Sequence, residues 1–517
     1  MSLEDHRRLV EALIRTRPFP HPVDHIQLVE THISSVLLTG EYAYKIKKPV
    51  DLGFLDFTSL ADRKRYCEEE LRLNRRLAPR LYLAVLPITG SLDAPRLGGD
   101  GEAIDYAVQM RQFDQSQLLD SLLARGELTA RHIDTLADII ADFHGHIAVA
   151  PPDSPFGEPE RVCGPMAQNF EQIRALLHVP ERLDQLDRLE AWTEGRYYAL
   201  REVLTARKTD GFIRECHGDM HLGNITLLDG EITIFDGIEF NDEFRWIDVM
   251  SEMAFITMDL IDRGATGFAR RLLNRYLEHT GDYGGLRVLP FYQVYRAMVR
   301  AKIAVIRLGQ GGLDEDERRR IMAQYEGYAD LAERFTRPGQ PRLLLMHGVS
   351  GSGKSFVSQR LLEALDAVRV RSDRERKRLF EGRDLPDDVL NAGLYSPEAT
   401  AATYARLREL ARTIIESGYT AIVDATFLRA EQRRPFARLA EELGCPYTIV
   451  HTRADEAVLR ERVNARATEA SNISDATESV LDYQLKHVVE PTAQEPTVVV
   501  DTGQPIDLEA LKRQILA

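Results

Sequence analysis

Residues 343–355 read LLLMHGVSGSGKS, an apolar strand running straight into Gly348-Val-Ser-Gly-Ser-Gly353-Lys354-Ser355. That octet fits G-x-x-x-x-G-K-[ST]. Gly348, Gly351 and Gly353, with Ser350 and Ser352 between them, let successive backbone amides turn inward on phosphate oxygens, and the following helix adds its positive end. Lys354 is placed to reach the β- and γ-phosphates and the Ser355 hydroxyl to ligate Mg²⁺. Strand patterns recur near 342–347, 368–371, 420–424, 446–451 and 497–500, with helical patterns between them. This alternation predicts an α/β domain whose parallel sheet is covered on both faces.

Further candidates lie at the ends of these strands. The second strand ends on Arg371-Ser372-Asp373, beside the phosphate loop, where a carboxylate can take a proton from an acceptor hydroxyl. Ser-Asp before a helix is also capping chemistry, so Asp373 is read as base, cap, or both. TAIVD ends at Asp424, the expected place for a Mg²⁺ or water ligand. Arg462 and Arg466, four apart on one helical face, could close over a transferring phosphoryl group. Together these residues resemble the P-loop kinases that include gluconate kinases, polynucleotide kinase modules and zeta-toxin kinases. The resemblance spans nearly all of 340–517 and implies ATP and Mg²⁺ at Lys354 and Ser355, with Asp373 as base and Arg462 or Arg466 as lid arginine.

The boundary before this domain is legible in TRPGQP, residues 336–341, whose prolines and glycine cannot continue the preceding helix. It leaves 1–335 and 340–517 as the two expected domains of a 517-residue chain too long for one core. Net charge is −15, of which −12 falls before residue 340 and −3 after it, so the chain is not built mainly to grip nucleic acid or anionic membrane. Cys67, Cys163, Cys216 and Cys445 show no C-x-x-C spacing and read as reduced thiols. No apolar run approaches the roughly 20 residues that span a bilayer, and the N-terminus lacks a signal-peptide pattern, so a cytoplasmic location is expected.

A second signature stands in the first domain. His217-Gly-Asp219-Met-His-Leu-Gly-Asn224 has the H-x-D-x-x-x-x-N spacing in which the Asp accepts a hydroxyl proton and the Asn holds a metal ion. Further on, ITIF leads to Asp236, where a second metal-binding carboxylate belongs. Upstream, GEYAYKIKKPV carries Lys45 and Lys47 on one strand face, and CEEELRLNRRL offers Glu69 and Glu70 as lysine partners. Lys45 is expected on the nucleotide phosphates, positioned by Glu70, and 109–114 (QMRQFD) is expected as the hinge that meets the base. The helix near 59–77 opens with Ser59 and Asp62 in capping-box spacing. His144 and His146 read as structural or surface groups, and Trp192 and Trp246 as core.

This half resembles the aminoglycoside phosphotransferase family, whose loop reads much like HGDMHLGN. The resemblance implies an α+β, two-lobed, protein-kinase-like fold and phosphorylation of small-molecule hydroxyls. Asp236-Gly237-Ile238-Glu239 departs from the family's usual Asp-Phe-Gly. Asp248 matches an Asp that braces the family's catalytic loop. The whole chain resembles bacterial fusions of these two modules and is expected to be a bifunctional, ATP- and Mg²⁺-dependent phosphotransferase, with GTP as a possible donor. The acceptor class is a sugar, amino sugar or nucleoside, with no membrane partner. Two rival expectations stand beside this: one active domain regulated by the other, and a polynucleotide 5′-hydroxyl kinase, against which the acidity argues.

Overall fold

The computed structural model describes residues 1–53, 55–309, 312–381, 396–467 and 477–517. The chain forms two compact units, Met1–Ala175 with Tyr197–Asp259, and Leu176–Arg196 with Leu260–Ala517. The expected junction at 336–341 lies inside the second unit, because the helices just before it belong there.

The first unit contains a six-stranded antiparallel sheet in the order β1-β2-β3-β6-β4-β5. Its strands are β1 (Gln27–Glu30), β2 (Ser34–Leu38), β3 (Tyr42–Lys47), β4 (Tyr82–Gly90), β5 (Pro95–Leu97) and β6 (Ala103–Arg111). Alternation along β2 and β3 sends Leu37, Tyr44 and Ile46 into a core with Leu9 and Leu13 of the helix Leu3–Thr16. The helix Leu60–Asn74 starts where expected, with the Ser59 hydroxyl accepting the Asp62 amide. It packs on β4 and β6, burying Cys67 with Leu81, Tyr82 and Val108.

After β6 the unit is mainly helical, with two small ribbons that sequence patterning foresees only in part. One pairs β8 (Ile225–Leu228) with β9 (Glu231–Ile234) as a hairpin between Asn224 and Asp236. The other pairs β7 (Ile213–Glu215) with β10 (Trp246–Asp248) across 31 residues of sequence, a non-local pairing with no local signal. Trp192 and Trp246 are half-buried rather than core; Trp246 stacks on Phe156.

The second unit carries a parallel sheet in the order β12-β13-β11-β14-β15. These strands are β11 (Leu343–His347), β12 (Ala367–Arg371), β13 (Thr420–Asp424), β14 (Tyr447–Arg453) and β15 (Thr497–Asp501), close to the expected bounds. One face of the sheet packs Leu344, Met346, Ile422 and Val450 against the helices Lys354–Ala364 and Leu508–Leu516. All four cysteines are free thiols. Among the described residues no helix is long and apolar enough to cross a membrane.

Candidate active sites

In the first unit β3 delivers Lys45 and Lys47, two apart and on one face, to a single carboxylate. Glu70 is fully buried; its Oε1 lies 2.8 Å from Lys45 Nζ and its Oε2 accepts from Lys47 Nζ at 2.6 Å. Lys45 also donates to Asp236 Oδ1 at 2.6 Å, and Lys47 to Glu239. Burial alone would raise the Glu70 carboxyl, yet the two ammonium groups hold it down at about 2. Burial pushes Glu239 up, against the pull of Lys47. The alternative partner, Glu69, is bound instead by Arg72 and Arg245.

The loop 217–224 is tied to the segment carrying Asp236, the Ile238 amide donating to the His217 carbonyl at 3.0 Å. His217 Nε2 lies 2.9 Å from the Phe235 carbonyl and its Nδ1 accepts the Asp219 amide, which fixes the tautomer with the proton on Nε2. Burial holds its pKa below the ordinary imidazole value. Asn224 Nδ2 donates to the Asp219 carbonyl and carboxylate at 3.0 and 3.1 Å. Gly218 has φ +88°, and a Cβ there would meet the Phe244 carbonyl at 2.7 Å, so only glycine fits the turn. Asp236 adopts φ +63°, a left-handed conformation that Asp tolerates better than most residues, and its amide donates to the Tyr82 hydroxyl.

The amides at the start of the loop are held by a residue that no motif marks. Asp248 is held by the Arg207 guanidinium at 2.7 and 2.8 Å. The amides of His217 and Gly218 donate instead to Glu252, at 3.2 and 2.6 Å, and His144 Nε2 lies 2.9 Å from the same carboxylate. Burial raises the Glu252 carboxyl, but the hydrogen bond and charge of His144 and the loop amides outweigh it and hold the pKa at about 2. His144 is therefore structural, as expected, and His146 is exposed, with its ring on the Asp142 carbonyl. Glu252 carries no sequence signal, because it is one of three acids on a mainly apolar helix, Val249–Asp262, and belongs to no motif.

In the second unit the loop after β11 wraps as its glycines require. Gly348 has φ +146°, and a Cβ there would strike Ser352 Oγ and the Thr452 carbonyl at 2.5 Å. Lys354 Nζ folds back onto the Gly348 and Val349 carbonyls at 2.9 Å each. The Ser350 amide donates to Gln484, and Ser352 Oγ lies 2.8 Å from Thr452 Oγ1. Asp424 is buried at the end of β13 and accepts from Ser358 Oγ at 3.1 Å, in the helix that Lys354 and Ser355 open.

Asp373 lies in the first turn of Ser372–Leu379, whose N-cap, Arg371, makes no side-chain capping bond. Burial pushes its carboxyl up; Arg371 opposes this, Asp424 adds to it, and Lys354 opposes it. Asp424 and Lys354 thus both act on the Asp373 carboxyl. Arg462, expected over the phosphoryl group, is instead engaged by Thr502 at 2.9 and 2.8 Å and by the Gly351 carbonyl at 3.3 Å, so it braces the loop from behind. The Arg466 side chain lies outside the described residues. Arg369, which no motif marks, donates to Ser358 Oγ and the Ser355 carbonyl, and is held by Glu278 at 2.9 and 3.0 Å.

Both donor sets suit a hard, oxygen-seeking cation: Asp219, Asn224 and Asp236 in one unit, Ser355 and Asp424 in the other.

Residues 54–289 match the phosphotransferase enzyme family and residues 343–491 match an AAA domain. The uncharacterized protein Rv2004c of Mycobacterium tuberculosis is 31% identical over 466 residues, 89% of this chain and 90% of that protein. A Mycobacterium bovis protein, Mb2027c, is similar to the same extent. Among solved structures, a gluconokinase from Sinorhizobium meliloti 1021 aligns with 34% of this chain and 91% of its own, at 25% identity and TM-score 0.25. Amicoumacin kinase hAmiN, in complex with AMP-PNP, Ca²⁺ and Ami, aligns with 64% of this chain and 96% of its own, at 12% identity and TM-score 0.40.

Proposed function

Since this chain belongs to the family of kinases that join a phosphotransferase domain to a P-loop kinase domain, we propose that it moves the γ-phosphoryl group of ATP to hydroxyls of small molecules at two sites. The acceptors are sugars, amino sugars or nucleosides. The observation that carries the reading is convergence: Lys45 and Asp236, 191 residues apart in sequence, meet at 2.6 Å beside Glu70.

In the first site Asp219 accepts the acceptor's proton, and Asn224 holds that carboxylate in place while offering its own amide oxygen to a metal with Asp236. Lys45 moves from Asp236 to the nucleotide phosphates while Glu70 keeps it aligned. In the second site Lys354 leaves the loop carbonyls for the β- and γ-phosphates, the amides of 348–353 line the phosphate, and Asp373 is the base. Ser355 and Asp424 would hold the second site's ion. Mg²⁺, when bound, neutralises charge on the phosphate oxygens. The chain's own contribution is positioning and fixed charge.

Calorimetric titration with ATP and Mg²⁺ tests this. Two nucleotides should bind per wild-type chain, one each in Lys45→Ala and Lys354→Ala, and none in the double variant; one nucleotide in the wild type would refute two sites. A specific feature favours a second reading, in which the first site binds nucleotide to regulate the second. The β1–β2 turn, Thr31-His32-Ile33, has no glycine to let its backbone close over phosphates. Two bound nucleotides with turnover abolished by Lys354→Ala alone would select that reading.

A further inference from the structure

Immediately before the phosphate loop, β11 ends on His347, and in register beside it on β14 stands His451. Register partners of parallel strands point to the same face, and the two rings meet edge-on with centroids 4.6 Å apart. Glu490 approaches from the segment after the helix Glu478–His487, its Oε2 lying 3.3 Å from His451 Nδ1. One ligand atom from each of the three residues lies within 4.8 Å of the others.

His347 is fully buried, and neither of its ring nitrogens makes a well-formed hydrogen bond among the described residues; the Val489 backbone, whose carbonyl already accepts from Arg433, acts on the ring only as a weak partner. A buried imidazole left so is uncommon and calls for an occupant. The segment carrying Glu490 is held in place: the Val489 amide donates to the Leu428 carbonyl, and the Val489 carbonyl accepts from Arg433.

We propose that His347, His451 and Glu490 form a binding site for a transition-metal dication of the zinc class. Two imidazole nitrogens and one carboxylate oxygen are a zinc donor set that leaves a fourth position open. Nitrogen donors also separate it from the oxygen-only nucleotide sites, which suit Mg²⁺. Burial, with His451, Arg433 and Lys354 nearby, holds the His347 pKa down at about 3, and burial also lowers that of His451. Both rings are therefore uncharged at neutral pH, with lone pairs available to a metal. Arg433 and Lys354 oppose a dication, but Glu495 neutralises Arg433 at 2.8 and 3.1 Å, and Glu490 supplies an anion at the site. Bound metal would tie β11 and β14 to the 488–490 segment, directly beneath Gly348. The site stands apart from the proposed reaction and does not depend on it.

The test is titration of full-length, chelator-stripped protein with Co²⁺ and then Zn²⁺. The expected result is one equivalent of Co²⁺ with the intense visible absorption of low coordination number, displaced by Zn²⁺, and a higher melting temperature with Zn²⁺. Six-coordinate Co²⁺ at the nucleotide sites absorbs only weakly. His451→Asn and Glu490→Gln should each weaken binding at least tenfold. Glu490 is exposed, so its variant decides the matter if the histidine variant does not fold. Absence of the intense band, or an unchanged band in Glu490→Gln, would overturn the site and leave a bridging water as the partner of His347.

Discussion

At the scale of single residues, the first site is a cluster of two lysines and three carboxylates in which only Asp236 has substantial exposure. Glu239, the residue after the Asp236-Gly237-Ile238 tripeptide, pairs with the second lysine, Lys47. Lys47→Met leaves Glu70 and Glu239 with one ammonium group between them and should destabilise the unit by about 3 kcal/mol in denaturant unfolding, because breaking a buried pair strands a charge. Adding Glu239→Gln should recover part of that loss; a purely additive double variant would show that the pair is not coupled. Glu252 gives a pH prediction. Its folded pKa of about 2 lies below the ordinary carboxyl value, so its stabilisation is complete above pH ~4.5 and drains away as pH falls towards 2. Glu252→Gln should lower the melting temperature at pH 7 and lose less than the wild type between those limits. Motif residues such as Asp219, Asn224, Lys354 and Asp424 were legible because their chemistry dictates their spacing. Glu252, Ser358 and Arg369 were not, since their partners are close only in space.

At the scale of elements, the parallel strands of the second unit were legible almost to the residue. Each is a short apolar run between helical patterns, and the central strands β11 and β13 are buried on both faces. The β7–β10 ribbon was not, because pairing between distant three-residue strands leaves no periodicity. Nor was the role of the helix Thr266–Thr280, which packs against the helix Lys354–Ala364 and β12. Its Asn274 accepts the amide of Arg369 at 2.7 Å and donates to Glu278, which in turn holds the Arg369 guanidinium. Through Ser358 this contact reaches Asp424, so a helix far upstream in sequence steadies the ligands beside the phosphate loop. Glu278→Ala should cost about 3 kcal/mol in stability, as expected for an arginine left buried without its partner. It should also raise the Mg²⁺ concentration needed for half-maximal turnover at the second site. An unchanged Mg²⁺ dependence would confine Glu278 to a purely structural role.

At the scale of the whole molecule, the boundary drawn at 336–341 from Pro and Gly content marks the end of a helix, while the second compact unit also takes in Leu260–Phe335. A fragment beginning at residue 340 should therefore melt at a lower temperature than one beginning at 260; equal melting temperatures would return the boundary to the sequence-based position. The central claim is that one chain carries two phosphotransfer sites. The most direct measurement follows labelled γ-phosphate from ATP onto a panel of sugars, amino sugars and nucleosides, using wild type, Asp219→Asn, Lys354→Ala and the double variant. Each single variant should lose one part of the wild-type transfer, by at least a hundredfold, and the double variant should lose both. Full transfer by the double variant, or one single variant abolishing everything while the other changes nothing, would contradict that claim.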